Sequence, residues 1–264
     1  MELWDLHRGD SPLVIDMPHS GIHVPDALRS RLTAIAQTVP DTDWHVDRLY
    51  AFAKAESATL FCATHSRYVI DLNRDPSGAA LYAGADNTEL CPTRTFADEP
   101  IYLDGDAPDA AEIEDRRGKY FAPYHAALAA ELERVRVRHS FAVLLDGHSI
   151  RSEVPRFFSG RLPDLNLGTA NGASCLPALQ AMVERLLGYA EAFTHVGNGR
   201  FKGGWITRHY GQPQRDVYAL QLEMAQICYM DEASPYAWDP VRAIRLSGVL
   251  QQLVRALNTF RPPA

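Results

Sequence analysis

Short apolar runs alternate along this chain with stretches whose apolar positions recur every three to four residues, a pattern of strands interleaved with helices. Leu13, Val14, Ile15 and Met17 predict a buried strand that stops at Pro18 and presents His19 at its end, with Gly21 permitting a sharp turn. The run 140–145 predicts a second strand, ending in Asp146-Gly147-His148-Ser149. The runs 59–64, 193–196 and 217–224 predict three more, the last carrying Gln221 and Glu223. Helical spacing predicts a short helix over about 24–36, started by Pro25 or Asp26, and a second that Asp41 or Thr42 caps and that continues to about Ala55. Asp43 and Asp47 then share one helical face. Longer helices are predicted over about 109–135, 176–191 and 240–258. The stretches 76–108 and 151–175, rich in Gly, Pro, Asp and Asn, predict long loops on a single domain spanning 1–264. Strands alternating with helices indicate an α/β fold with a largely parallel or mixed sheet.

Length and composition fit one such domain with a sizeable core: the chain has 264 residues, 46% of them hydrophobic. A formal net charge of −7 argues against nucleic acid or an anionic membrane as the partner, and leaves room for an anionic small substrate met by local arginines. The first residues lack the basic start and apolar centre of a secretory signal, and no apolar run is long enough to span a bilayer. Cys62, Cys91, Cys175 and Cys228 are scattered without Cys-x-x-Cys spacing, which points to reduced, partly buried thiols of a cytoplasmic protein.

Two histidines at strand ends lie where open α/β sheets bind ligands, and they change the picture most. A zinc hydrolase needs nitrogen or carboxylate ligands, an open position for water, a carboxylate base and a cation facing the developing oxyanion. His19, Asp43 and His148 are the candidate ligands, with Zn2+ or another divalent ion as cofactor. Glu223 is the candidate general base and Arg67 the candidate oxyanion partner. Each has a structural alternative: a polar residue closing a strand for the histidines, an outward-facing strand position for Glu223, and an ion pair with Asp71 for Arg67. Asp47 or His45 can replace Asp43 as ligand, and Asp146 either orients an imidazole or closes a turn. Tyr124 and His125 read as packing residues.

Six segments in order resemble the N-formylglutamate amidohydrolase family: Met-Pro-His-Ser-Gly (17–21), Asp-Thr-Asp-Trp (41–44), Ser-Arg-Tyr-Val-Ile-Asp-Leu-Asn-Arg (66–74), Asp-Gly-His-Ser (146–149), Asn-Gly-Arg-Phe-Lys-Gly-Gly (198–204) and Gln-Leu-Glu (221–223). The resemblance covers nearly the whole chain and implies hydrolysis of N-formyl-L-glutamate to formate and L-glutamate, a step of histidine degradation. That family is similar in turn to the aspartoacylase and zinc carboxypeptidase group, which implies a three-layer α/β/α, phosphorylase/hydrolase-like fold. The resemblance also implies that Asn73 and Arg74 bind substrate carboxylate and that an arginine slightly upstream polarises the scissile carbonyl. One departure stands out. The carboxypeptidase group has His-x-x-Glu at its first metal motif, whereas the position after His19 here is Ile22, so the carboxylate ligand must come from elsewhere.

A substrate with two carboxylates accounts for cations on an acidic chain. Arg74, Arg200, Lys202 and Arg208 are the candidates, with Asn73 and the backbone around Gly203 and Gly204 adding donors. Arg200 and Lys202 read alternatively as solvated loop residues. Formyl is the smallest acyl group, so Trp205, Tyr82 or Tyr210 is expected to wall a tight acyl pocket. The competing readings are a deacylase of another N-acyl amino acid or of formylmaleamate, and a non-catalytic dicarboxylate-binding protein. The sequence sets no expectation for the oligomeric state.

Overall fold

The strongest apolar runs of the chain lie side by side at the middle of one mixed sheet. The computed structural model describes residues 1–80 and 86–263. Its strands are β1 (Trp4–His7), β2 (Leu13–Met17), β3 (Thr59–Ala63), β4 (Ala142–Ile150), β5 (Leu165–Gly168), β6 (His195–Gly197) and β7 (Val217–Ala225). Its helices are α1 (Asp26–Arg29), α2 (Val46–Tyr50), α3 (Ala110–Arg116), α4 (Ala122–His139), α5 (Pro177–Gly188), α6 (Trp205–Tyr210) and α7 (Pro240–Thr259). The seven-stranded sheet has the order β1-β3-β2-β4-β7-β5-β6. The four strands β3, β2, β4 and β7 run parallel, with β1 antiparallel to β3 and β5 antiparallel to β7.

Period-2 alternation divides the central strands between two cores. Leu13, Ile15, Met17, Val143, Leu145, Leu220, Leu222 and Met224 face α2, α5 and α7. Val14, Ala142, Leu144 and Ala219 face α4 and α6. Helices therefore cover both faces, the three-layer α/β arrangement. The second face is apolar only at its lower end. Continuing the same alternation upward puts Asp16, Asp146, His148, Gln221 and Glu223 on it, in register: Asp16 pairs with Asp146, Asp146 with Gln221, and His148 with Glu223. Chemistry thus begins where the apolar layer ends.

Several elements differ from the sequence expectation, each for a tertiary reason. β4 runs on to Ile150 instead of stopping before Asp146, because β7 continues beside it to Ala225 after β2 has ended. The expected helix from Asp41 is shortened to α2, a single turn extended by a 3-10 turn at Ala51–Lys54. Asp41 caps nothing; its carboxylate accepts from the Tyr68 hydroxyl at 2.6 Å and the Phe96 N–H at 2.9 Å. His45, at φ 62°, turns the chain before α2, and Asp43 donates its N–H to the His19 carbonyl at 3.0 Å. The helix expected over 24–36 is reduced to α1 and a 3-10 turn at Ala36–Thr38. The stretch 151–175 is not loop throughout, since Leu165 and Leu167 bury against β7 and form β5. β1 and α6 were also unanticipated, being too short to show a period. The long helix is interrupted by a π-helical turn at Arg117–Phe121 between α3 and α4. Among the described residues no helix is long and apolar enough to cross a membrane.

Candidate active site and metal centre

Three segments remote in sequence bring His19, Asp43 and His148 together. β2 ends at Met17, Pro18 breaks the ladder, and His19 follows. Gly21 packs so tightly against 64–65 that a Cβ there would lie 2.4 Å from the His65 carbonyl oxygen, which holds this turn to the sheet. His148 comes from the upper part of β4. All three side chains are buried, and one ligand atom from each lies within 4.8 Å of the others. Nδ1 of His148 is 2.9 Å, and Nδ1 of His19 3.8 Å, from Asp43 Oδ2. The two rings are 4.9 Å apart.

The opposite nitrogen of each ring meets a second carboxylate. His19 Nε2 lies 2.8 Å from Asp71 Oδ1, so that nitrogen donates and Nδ1 keeps its lone pair facing Asp43. His148 Nε2 lies 2.7 Å from Asp146 Oδ1, off the hydrogen-bond direction, and 2.9 Å from Asn73 Nδ2. Two imidazoles and a carboxylate, each ring backed by a further carboxylate, suit a divalent cation. The electrostatics agree. Burial opposes ionisation of Asp71, but Arg67, Arg74 and His19 outweigh it and hold its carboxyl well below the usual range. Burial likewise opposes charge on Asp43, whose value is nonetheless lowered by His148 and His19. For His148 burial is outweighed by Asp146 and Asp43, and its pKa rises well above the ordinary value. Burial lowers that of His19, with Arg67 adding to the effect. Buried carboxylates collected around two imidazoles form a field that favours positive charge at their centre.

Glu223 is the sheet neighbour of His148 and shares its face. Burial raises its pKa to about 8, His148 pulling down and Asp43 pushing up. Gln221 Nε2 donates to Glu223 Oε2 at 3.3 Å. Arg67 spans the centre: its guanidinium is 2.5 Å from Asp71 Oδ2 and 3.7 Å from Asp43 Oδ1, and sits over the Phe96 ring at 4.8 Å. His19, Asp43, Arg67, Phe96, His148, Gln221 and Glu223 line one cleft, with Arg74, Thr88, Asn87, Asp86, Ile150, Phe157, Arg200 and Phe201 at its walls.

These residues lie within the reach of one family model, which describes N-formylglutamate amidohydrolase and matches residues 11–230. The chain belongs to the N-formylglutamate amidohydrolase family. Relatives named N-formylglutamate deformylase, from Pseudomonas putida and Pseudomonas aeruginosa, are each 46% identical to this family member. The first match covers 95% of this chain and 94% of the relative, the second 97% and 96%. The crystal structure of N-formylglutamate amidohydrolase from Ralstonia eutropha superposes with a TM-score of 0.80 at 28% identity, covering 97% of this chain and 98% of that one. A gene product of Agrobacterium tumefaciens shares the fold, with a TM-score of 0.72 at 17% identity over 97% and 95% of the two chains.

Within this amidohydrolase-family chain the sequence candidates separate. His19, Asp43, His148, Glu223, Arg67, Asn73, Arg74 and Arg200 all line the cleft. Asn73 is engaged at both ends of its amide, accepting from the Ile206 N–H at 2.7 Å and donating to Asp146 Oδ2 at 3.3 Å. Arg74 bonds Thr88, and Arg200 donates to the Phe157 carbonyl at 2.8 Å. Lys202 is half-buried outside the cleft wall, and Arg208 lies exposed in a separate depression with Asp75 and His209. Of the alternative ligands, Asp47 is exposed and His45 bonds the Tyr236 carbonyl. Trp205 and Tyr210 pack on His125, away from the cleft, and Tyr82 lies outside the described residues. The aromatic walls are Phe96, Phe157 and Phe201, which sequence reasoning missed because each sits in an aperiodic stretch. Asp71 as the partner of His19 was missed too, although its charge inside an apolar run signalled that something must satisfy it.

Proposed function

We propose that the chain hydrolyses N-formyl-L-glutamate to formate and L-glutamate, using a divalent metal, zinc by preference, held by His19, Asp43 and His148. The observation that carries this reading is the convergence of those three ligands beside Glu223 and Arg67 in one cation-bearing cleft, in a member of this family. When bound, such an ion supplies the positive charge that makes water acidic enough to attack an amide near neutral pH. Asp71 fixes the His19 imidazole, and Asp146 and Asn73 flank that of His148. Glu223, beside His148 on the same face of the sheet, takes a proton from the attacking water and passes it to the leaving amine. Arg67, held rigidly by Asp71 over Phe96, faces the charge that grows on the carbonyl oxygen. Arg74 and Arg200 meet the two carboxylates of the substrate. The four free cysteines support a reducing, cytoplasmic setting.

Metal analysis of the purified protein, together with formate release from N-formyl, N-acetyl and N-succinyl glutamates and aspartates, tests the reading. Bound zinc, fastest turnover of N-formylglutamate and loss of both metal and turnover in His148→Ala are expected. Full activity in a metal-stripped protein, or in His148→Ala, refutes it.

A further inference from the structure

The mechanism uses Glu223 and leaves Gln221, two residues before it on β7, without a task. Gln221 is 3% exposed, lines the cleft and shares the face of Glu223. A backbone N–H can only donate, and that of Gly204 meets Gln221 Oε1 at 2.7 Å. The amide is thereby locked in one orientation, with its NH2 turned to Glu223 Oε2 at 3.3 Å. Gly204 itself is packed closely against the Asn73 amide. A Cβ on it would lie 2.4 Å from Asn73 Nδ2, and the Asn73 oxygen is held by the Ile206 N–H at 2.7 Å. The start of α6 therefore grips two side-chain amides by their oxygens and turns both NH2 groups into the site. Among the described residues, no partner holds Glu223 Oε1.

We propose that Gln221 is a positioning residue: its locked amide holds one oxygen of the Glu223 carboxylate, so that the other is presented to the cleft. The proposal rests on the reading of Glu223 as general base. Only a neutral donor that is also an acceptor fits the place. A carboxylate there would repel Glu223, and an apolar side chain would leave the Gly204 N–H unpaired and Glu223 free to rotate. Because Gln221 acts through Glu223, its loss should reduce kcat and leave KM nearly alone.

The test compares the metal-loaded wild type with Gln221→Glu, Gln221→Leu and Glu223→Gln, by formate release from N-formylglutamate over about pH 5 to 9, with metal content and melting temperature for each. Gln221→Glu keeps an acceptor for Gly204, removes the donor to Glu223 and leaves in place the charged groups that already act on Glu223, namely His148, Asp43, Arg67 and Asp146. It should lower kcat at neutral pH by about 10- to 100-fold, hold KM within about threefold, and move the acid limb of the profile up by about one pH unit. Gln221→Leu should lose kcat comparably; if it does not fold, Gln221→Glu decides alone. A rise in KM with kcat intact would make Gln221 a substrate contact and overturn the proposal. An equal loss at every pH in Gln221→Glu would make it merely structural and overturn it as well. Wild-type turnover in Glu223→Gln would remove the general-base reading itself, a distinct failure read from a different variant.

Discussion

Asp71→Asn is the perturbation that probes the centre most directly, because one buried carboxylate serves several partners. Asp71 is fully buried and accepts from His19 Nε2 at 2.8 Å, Arg67 at 2.5 Å and the Asn73 N–H at 2.9 Å, with Arg74 at 3.9 Å. Asparagine has nearly the same volume, so no cavity forms and the loss is electrostatic. The Arg67 guanidinium, 5% exposed, keeps Asp43 at 3.7 Å as its nearest remaining carboxylate. Leaving one member of a buried pair uncompensated costs about 3–5 kcal/mol, a large share of a typical domain's stability. The pH dependence has a definite sign. The folded carboxyl titrates well below the ordinary 3.8, so its stabilisation is present above the unfolded value and is lost as pH falls through the folded one. The gap between wild type and variant should be full at neutral pH and narrow as pH drops below about 4. His19 also loses the anion that fixes its ring, so metal should bind about 10- to 100-fold more weakly. Urea unfolding of chelated protein at neutral and acidic pH, with a competitive metal titration, reads both effects. A gap under about 1 kcal/mol at neutral pH, or unchanged metal affinity, would refute the role given to Asp71.

Other substitutions probe the neighbouring groups. Glu223 ionises at about 8 in the folded chain against an ordinary 4.5, so in chelated protein the unfolded state releases its proton first and stability falls as pH rises through that window. Glu223→Gln should therefore gain on the wild type between those values, by roughly 5 kcal/mol at most, and a pH-independent difference in unfolding free energy would contradict this. Gly204→Ala should destabilise by about 1–3 kcal/mol, because the Cβ would press on the Asn73 amide at 2.4 Å; an unshifted melting curve would show the loop yielding instead. Arg200→Ala should raise KM for N-formylglutamate by about tenfold or more with kcat little changed, and equal loss in both constants would place Arg200 in the chemistry.

Much of the fold was legible because strand and helix periods are local properties. The runs at 13–17, 59–63 and 217–225 and the helices α4, α5 and α7 follow from apolar spacing and breakers such as Pro18 and Pro240. The same period places Glu223 on one face with Gln221. Which face that is depends on β4 lying alongside in register, with His148 opposite Glu223, and on the apolar helix α7 taking the other side. β5 and α6 escaped because elements of four and six residues carry too little period to read.

The candidate site divides along the same line. Local patterning was enough to show the kinds of residue available, the strand that ends just before His19 and the strands that carry His148 and Glu223. Packing was needed to show that Asp43, and not Asp47 or His45, turns toward both histidines, that Asp71 belongs to His19, and that Gln221 is held by Gly204. The contacts of Asp43 with His148, of Asp71 with His19 and of Gln221 with Gly204 join atoms within hydrogen-bond reach across separate segments, and such a distance is set by how the layers pack, whereas Asp146 and His148 lie two apart on β4 and share a face by the strand period.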